Sequence, residues 1–306
     1  MQTLHTLADN YLLFCQNQKR LDEKTLKAYR IDLAQFLEIT HPASLSSINT
    51  ELLESYIYHL HQMYKPKTAK RKIASVKAFF HYLEYKDYLM INPFAKIQVK
   101  FREPVILPKT IPLNTVELFL STMYYQLSIA KNSYRQRNIL RDIAVIELLF
   151  GTGMRISELC SLTPGSVNLI SRTVLIYGKG AKERLIQIGN EDVHRILCRY
   201  VQEFQKEINQ TGFFFVNHLG NGLSDQSVRR MIQKYATLAS IKLHITPHMF
   251  RHTFATSLLD ADVDIRYIQE MLGHSSINIT EIYTHVTSAK QMSILSTKHP
   301  RKGLKV

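Results

Sequence analysis

The sequence predicts a mainly α-helical protein with one small antiparallel β-sheet, divided into two domains. Three observations lead there. Apolar residues recur at three- and four-residue spacing along most of the chain, residues 167–188 change to short β-prone runs, and a proline-rich segment separates a wholly helical first part from the rest. At 306 residues the chain is also longer than one hydrophobic core usually serves.

Taken in order, TLADNYLLFCQ, TLKAYRIDLAQFLEI, TELLESYIYHLHQMY and AKRKIASVKAFFHYLEYK each have one apolar face and are joined by short loops, so four helices are predicted. FREPVILPKTIP, residues 101–112, carries Pro104, Pro108 and Pro112 and keeps no apolar period. It sets domains at 1–103 and 113–306 with a linker at 104–112. Residues 113–150 read as helix ending in the apolar run IAVIELLF; Gly151 and Gly153 break it before a further helix, MRISELCSL, which stops at Pro164. SVNLI, TVLIY and ERLIQI, separated by SR and GKGAK, are written as an antiparallel sheet with tight turns, and Lys179 lies at the second turn. Helices follow at about 190–208, 225–240, 247–260 and 264–272, and one around Tyr283. Thr246 supplies an N-cap hydroxyl ahead of Pro247 at the first helical position.

Composition narrows the function. The balance of 39 Lys+Arg against 25 Asp+Glu gives +14, of which +5 falls in residues 1–105 and +9 in 106–306, so both halves suit a polyanionic partner. The 45% hydrophobic content, with 11 Gly and 9 Pro, excludes collagen-like and low-complexity chains. No apolar run approaches the roughly 18 residues of a membrane span, and the opening MQTLHTLADNYLLFCQNQ lacks a basic segment followed by an apolar one, so a soluble, cytoplasmic protein is expected. Cys15, Cys160 and Cys198 are odd in number, far apart and set in apolar helical contexts, which suits reduced core thiols rather than a disulfide framework or a zinc cluster.

Lys65, Lys67, Lys70, Arg71, Lys72 and Lys77 fall within thirteen residues free of acids, at the start of a helix whose other face is apolar. Cations there oppose the helix dipole, so a solvated basic face competes with a phosphate-binding one, and the net charge favours phosphate. Lys67, Lys70, Arg71 and Lys77 are the candidate DNA contacts. His248 and Arg251, three apart in TPHMFRHTFAT, share a helical face from which an imidazole and a guanidinium fork can reach one phosphate, although a surface pair fits the same spacing. His244, His248 and His252 are spaced by four, but Pro247 starts the helix after His244 and leaves two ligands, so no metal is expected. Arg155 stands three before Glu158, the spacing of a same-face ion pair. The GKGAK turn is either a solvated hairpin end or a mobile tip delivering the Lys179 ammonium to a phosphate oxygen.

In order and spacing, Arg155 in TGMRISEL, Lys179 in GKGAKER, His248 and Arg251 in HMFRHTFAT, His274 in LGHSS and Tyr283 in IYTHV resemble the catalytic signature of the tyrosine site-specific recombinases, with wording closest to the Xer branch. The likeness covers residues 141–286 and extends more loosely to the first half, which looks like that family's core-binding domain. One departure is QLSIAKNSYRQRNILRD, with Lys131, Arg135, Arg137 and Arg141 in a basic segment that the resemblance leaves without a role.

A phosphodiester resists attack because charge builds on oxygens that already repel the nucleophile, so fixed cations and a poised oxygen are needed. Arg155 and Arg251 suit the first task, with His274 adding a hydrogen bond. The resemblance implies that Tyr283 attacks phosphorus to leave a 3′-phosphotyrosine and a free 5′ hydroxyl. His248 then serves as base or hydrogen-bond partner, and Lys179 as general acid. Because bond energy stays in the phosphotyrosine, neither ATP nor a metal is required, and no cofactor is expected. The implied partners are double-stranded DNA at a partly symmetric site and three further protomers, in a homo-tetramer or with a paralogue, and no membrane. After Tyr283, Met292, Ile294 and Leu295 are spaced as a short amphipathic helix that docks on a neighbour, as the resemblance implies, or on its own domain. A type IB topoisomerase, a mobile-element integrase or a non-catalytic DNA-binding accessory protein are the alternative readings; the six chemical positions argue against the last.

Overall fold

The computed structural model describes residues 3–99, 109–178, 183–273 and 288–304, apart from the side chains of residues 288–291. The chain divides into two compact units, Met1–Ile106 and Leu107–Val306.

The first unit is built on α1 (Leu4–Asn17), α2 (Glu23–Thr40), α3 (Thr50–Met63) and α4 (Pro66–Tyr85). Thr3, Asp22 and Asn49 cap the first three, each accepting a backbone N–H from the first turn, whereas α4 starts on Pro66. The apolar faces meet around aromatic rings. Phe36 stands edge-on to Tyr56 at 5.0 Å and to Phe80 at 5.9 Å, and Phe80 packs on Phe94 at 5.3 Å. Beside these rings the buried Asp32 carboxylate accepts from Lys72 Nζ at 3.0 Å and Ser75 Oγ at 2.8 Å and pairs with Arg71. Lys72, part of the basic run in the sequence, is therefore buried and consumed inside the unit.

In the second unit α5 (Leu113–Ser128) and α6 (Ser133–Thr152) replace the single helix expected over 113–150, because the Asn132 side chain accepts the Tyr134 N–H at 2.8 Å and starts a new helix. From Ile139 to Thr152 every residue of α6 is buried, so it is the axis of the core. It runs through Gly151 and stops only at Gly153. Next come α7 (Ile156–Cys160) and an antiparallel sheet of β1 (Val167–Asn168), β2 (Thr173–Tyr177) and β3 (Glu183–Gln187) in that order. The register pairs Val174 with Ile186 and Ile176 with Arg184, with Val174, Ile176 and Ile186 turned into the core. α8 (Glu191–Thr211) packs its stripe of Val193, Leu197, Tyr200 and Phe204 on α6. α10 (Pro247–Asp260) also packs on α6, while α9 (Asp225–Leu238) lies against α5 and α7, and α11 (Ile265–Leu272) against α10 and β3. Thr246 occupies the N-cap position of α10, but its hydroxyl caps nothing and the proline alone marks the start. At the end of the expected linker, Ile111 is buried in this unit, its N–H donating to Thr253 Oγ1 at 2.8 Å.

The basic segment, whose three arginines lie in the first half of α6, has an internal use. Arg137 bonds Glu207 at 2.7 Å and lies 4.5 Å from the centre of the Phe204 ring, and Arg141 is buried against Asp142 at 2.6 Å. Of the three thiols only Cys15 is fully buried; Cys160 and Cys198 are partly buried. Among the described residues no helix is long and apolar enough to cross a membrane.

The chain closes with α12 (Ser288–Lys298) and a 3-10 turn at Pro300–Gly303, both packed on their own unit. Leu295 is buried so near Gly189 that a Cβ added there would lie 2.4 Å from the leucine Cβ. His299 Nε2 donates to the Gly151 carbonyl at 2.8 Å while Nδ1 accepts the Arg301 N–H at 2.9 Å, and Arg301 Nε lies 3.2 Å from both Glu147 oxygens. Both ring nitrogens are satisfied only when the imidazole is neutral. Burial accordingly holds the His299 pKa down to about 4 against the pull of the Gly151 bond. An unfolded histidine titrates near 6.5, so its contribution to stability is full above that pH and is lost as pH falls towards 4, by on the order of 3 kcal/mol. In urea melts between pH 7 and 4.5, His299→Gln should be the less stable protein at pH 7, with the gap to the parent narrowing as pH falls; a constant gap would mean that His299 takes up its proton alike in the folded and unfolded states.

Candidate active site

The candidate site forms where the central helix stops. Gly153 caps α6 in the left-handed conformation (φ 61°), and a Cβ there would meet Phe254 at 2.5 Å and Leu272 at 2.9 Å, so only glycine permits this turn. The turn points the Gly153 carbonyl at Arg251, whose Nη1 donates to it at 2.8 Å while Nη2 donates to the Leu272 carbonyl at 2.7 Å. Arg251 is thereby tied to the ends of two helices, α6 and α11. Thr253, one turn beyond Met249 on α10, bonds its carbonyl at 2.8 Å.

Arg155 precedes α7. Its expected partner is found: Nη1 donates to Glu158 Oε1 at 2.8 Å, and its backbone N–H donates to Oε2 at 2.7 Å. A second guanidinium, which the sequence pattern does not single out, shares the same carboxylate. Arg184 of β3 donates from Nη1 to Oε1 at 2.9 Å and from Nη2 to Oε2 at 2.8 Å. Burial of Glu158 opposes its charge, but the hydrogen bonds from Arg184 and Arg155 prevail and hold its pKa at about 2. Arg184 left one trace in the sequence: it sits opposite Ile176 on the strand face that carries Ile186, a cation in the apolar phase of the alternation.

The surplus of positive charge is felt by its neighbours. Burial and then the charge of Arg155 lower Arg251 to about 10, with Glu158 opposing and Arg184 adding to the fall. His248, on the exposed face of α10, is lowered by burial and by Arg229, Arg251 and Arg155, which keeps the imidazole neutral at pH 7. His252 is lowered in the same way by burial, His248 and Arg251. Among the described residues no group of three or more His, Cys, Asp or Glu side chains is placed to hold a metal ion. Arg155 and Arg184 share one acid, and Arg251 and the neutral His248 imidazole are close enough to feel the charge of Arg155, so that Arg155, Arg251 and His248 together suit a tetrahedral anion and a proton acceptor. Lys179, in the connection between β2 and β3, and His274 and Tyr283, which follow α11, lie outside the described residues.

Of the candidate DNA contacts, Lys67, Lys70 and Lys77 lie on the exposed side of α4, away from the buried Ile73, Val76 and Phe80. Arg71 is half-exposed and held by Asp32, which orients its guanidinium without consuming all of its donors.

Comparison with known proteins agrees with this architecture. The profile described as the Phage integrase family matches residues 121–290, and that of the Phage integrase N-terminal SAM-like domain matches residues 8–87. A tyrosine recombinase of Agathobacter rectalis is 64% identical over 305 residues, covering 99% of each chain. Tyrosine recombinase XerD of Listeria monocytogenes is 32% identical over 309 residues, covering 97% of this chain and all of the relative. The crystal structure of XerH site-specific recombinase bound to palindromic difH substrate in its post-cleavage complex shares the fold with a TM-score of 0.70 at 22% identity, over 88% of this chain and 78% of that one. A lambda integrase dimer bound to a COC′ core site gives a TM-score of 0.68 at 16% identity, over 94% of this chain and all of the other. With a family profile spanning more than half of its length and a relative matching it end to end, the chain belongs to the phage integrase family of tyrosine recombinases, enzymes that exchange DNA strands.

Proposed function

We propose that this chain is a Xer-like site-specific recombinase that joins two DNA sites through a 3′-phosphotyrosine on Tyr283, within a synapse of four protomers. The observation that carries the reading is the convergence of Arg155 and Arg251 at the end of α6, beside His248 and next in sequence to the segment that holds His274 and Tyr283. The full-length likeness to XerD supports the Xer assignment.

The chemistry follows from these groups. Arg155 and Arg251 hold the two non-bridging oxygens as the pentavalent transition state forms, and His274 adds a hydrogen bond there. The Tyr283 phenol, with an ordinary pKa of about 10, passes its proton to His248, whose neutral state suits a base. The new bond joins the phenolic oxygen to phosphorus, the bond from phosphorus to the 5′ oxygen breaks, and Lys179 protonates the departing oxygen. A 5′ hydroxyl from a second duplex reverses the attack and completes the exchange. In the first unit, the exposed face of α4 provides phosphate contacts through Lys67, Lys70, Arg71 and Lys77.

Three experiments test this reading, the first two on a nicked suicide duplex built on the inverted-arm site that the protein selects from a random pool. Tyr283→Phe should bind the duplex as the parent does and form no covalent adduct; an adduct in this variant removes Tyr283 as the nucleophile. Lys179→Ala should cleave normal DNA about 10²- to 10⁴-fold more slowly, yet cleave a duplex with a bridging 5′ sulfur at nearly the parent rate, because a thiol of pKa about 8.5 leaves without a proton. Equal defects on both substrates would make Lys179 a phosphate clamp. Neutralising Lys67, Lys70 and Lys77 together should weaken binding to all DNA and flatten its salt dependence, by up to about 0.9 log unit in slope for each phosphate that the variant leaves unneutralised. An unchanged slope would place these lysines away from the backbone.

A further inference from the structure

Arg184 has no part in the chemistry above, yet it is the best-anchored guanidinium of the site. Three of its N–H groups are spent: Nη1 and Nη2 on the two oxygens of Glu158, and Nε on the Met271 carbonyl at 2.9 Å. Only 11% of its side chain is exposed, against 36% for Arg155. A guanidinium so enclosed is poorly placed to meet a phosphate. Its partners, however, are the acid that holds Arg155 and the last turn of the helix whose next carbonyl, Leu272, holds Arg251.

The geometry at Glu158 gives this a consequence. A carboxylate has about four acceptor positions, and here all four are taken: Oε1 by Arg155 Nη1 and Arg184 Nη1, Oε2 by the Arg155 backbone N–H and Arg184 Nη2. Arg184 occupies the two-pronged mode, the stronger one for a guanidinium on a carboxylate. Arg155 is left with a single side-chain bond, and its remaining donors stay unspent on this acid. Without Arg184, Glu158 would have two vacant acceptor positions and one nearby guanidinium to fill them, and the Arg155 fork would turn inward onto the carboxylate.

We propose that Arg184 is a positioning residue for strand cleavage: by taking the two-pronged place on Glu158 it keeps the Arg155 fork turned outward for the phosphate. The proposal rests on the reading of Arg155 as a phosphate clamp.

The test measures covalent-adduct formation in single turnover at saturating protein, on the same suicide duplex, with DNA affinity measured separately. Arg184→Met should cleave about 10²-fold more slowly, the scale of a misplacement of about 1 Å at a catalytic group, with affinity little changed. Arg184→Lys, which keeps charge and stem but cannot fork, should also be slow; a parental rate in this variant would overturn the proposal, since a point charge would then suffice. The decisive arm repeats both substitutions in an Arg155→Ala background. If Arg184 acts through Arg155, its loss there should change the residual rate by less than about threefold, whereas full multiplication of the two defects would show an independent role and refute the positioning. Arg184→Lys carries the test should Arg184→Met fail to fold. Failure of the parent protein itself to form an adduct would instead count against the recombinase chemistry, so the two outcomes stay distinct.

Discussion

Guanidiniums set close together repel one another, and the second unit meets this constraint with a single buried acid. Glu158 accepts four hydrogen bonds from two arginines and is held ionised by them. Breaking such a buried arrangement from one side leaves an uncompensated charge, which is costly, so the cluster is a rigid unit rather than a set of independent pairs. Arg251 is restrained differently, by the carbonyls at the ends of α6 and α11. Those carbonyls carry the partial negative charge of helix C-termini, so two helix ends supply the compensation that a second acid would otherwise provide.

The first unit repeats the solution with other residues. Asp32 is buried among Lys72, Ser75 and Arg71, and in doing so it turns one basic residue inward and aims another along the surface of α4. A run of cations in sequence therefore does not translate into a run of cations on the surface. Periodicity along α4 places Lys72 beside Ile73 and Val76 on the buried side, and the compensating acid comes from another helix, 40 residues away.

What is legible in the sequence and what is not divide along the same line of local against distant contacts. The helical first half, the three β-runs and the Arg155–Glu158 pair are written in spacings of two, three and four residues, and the structure has them. The boundary between α5 and α6 is hidden because both flanks are apolar and only the Asn132 cap divides them. Arg184 is hidden because its partners lie 26 and 87 residues away. The basic segment that opens α6 reads as a surface feature, yet Arg137 and Arg141 find their acids in Glu207 and Asp142. The motifs that resemble a catalytic signature stand in the sequence as an ordered set, whereas the contacts that orient Arg155 and Arg251 depend on where helices end in space.

The closing turn has a consequence for how the protein is made. Glu147 is buried in the middle of α6, and its cationic partner, Arg301, follows it by 154 residues. Synthesis runs from the amino end, so for most of the time the second unit is emerging its central helix carries an acid that has no guanidinium to receive it. Burying a carboxylate without its cation costs several kcal/mol, so α6 reaches its final environment only once Arg301 has left the ribosome. The first unit, whose helices find their partners within its own residues, is free to fold while the rest is still being translated.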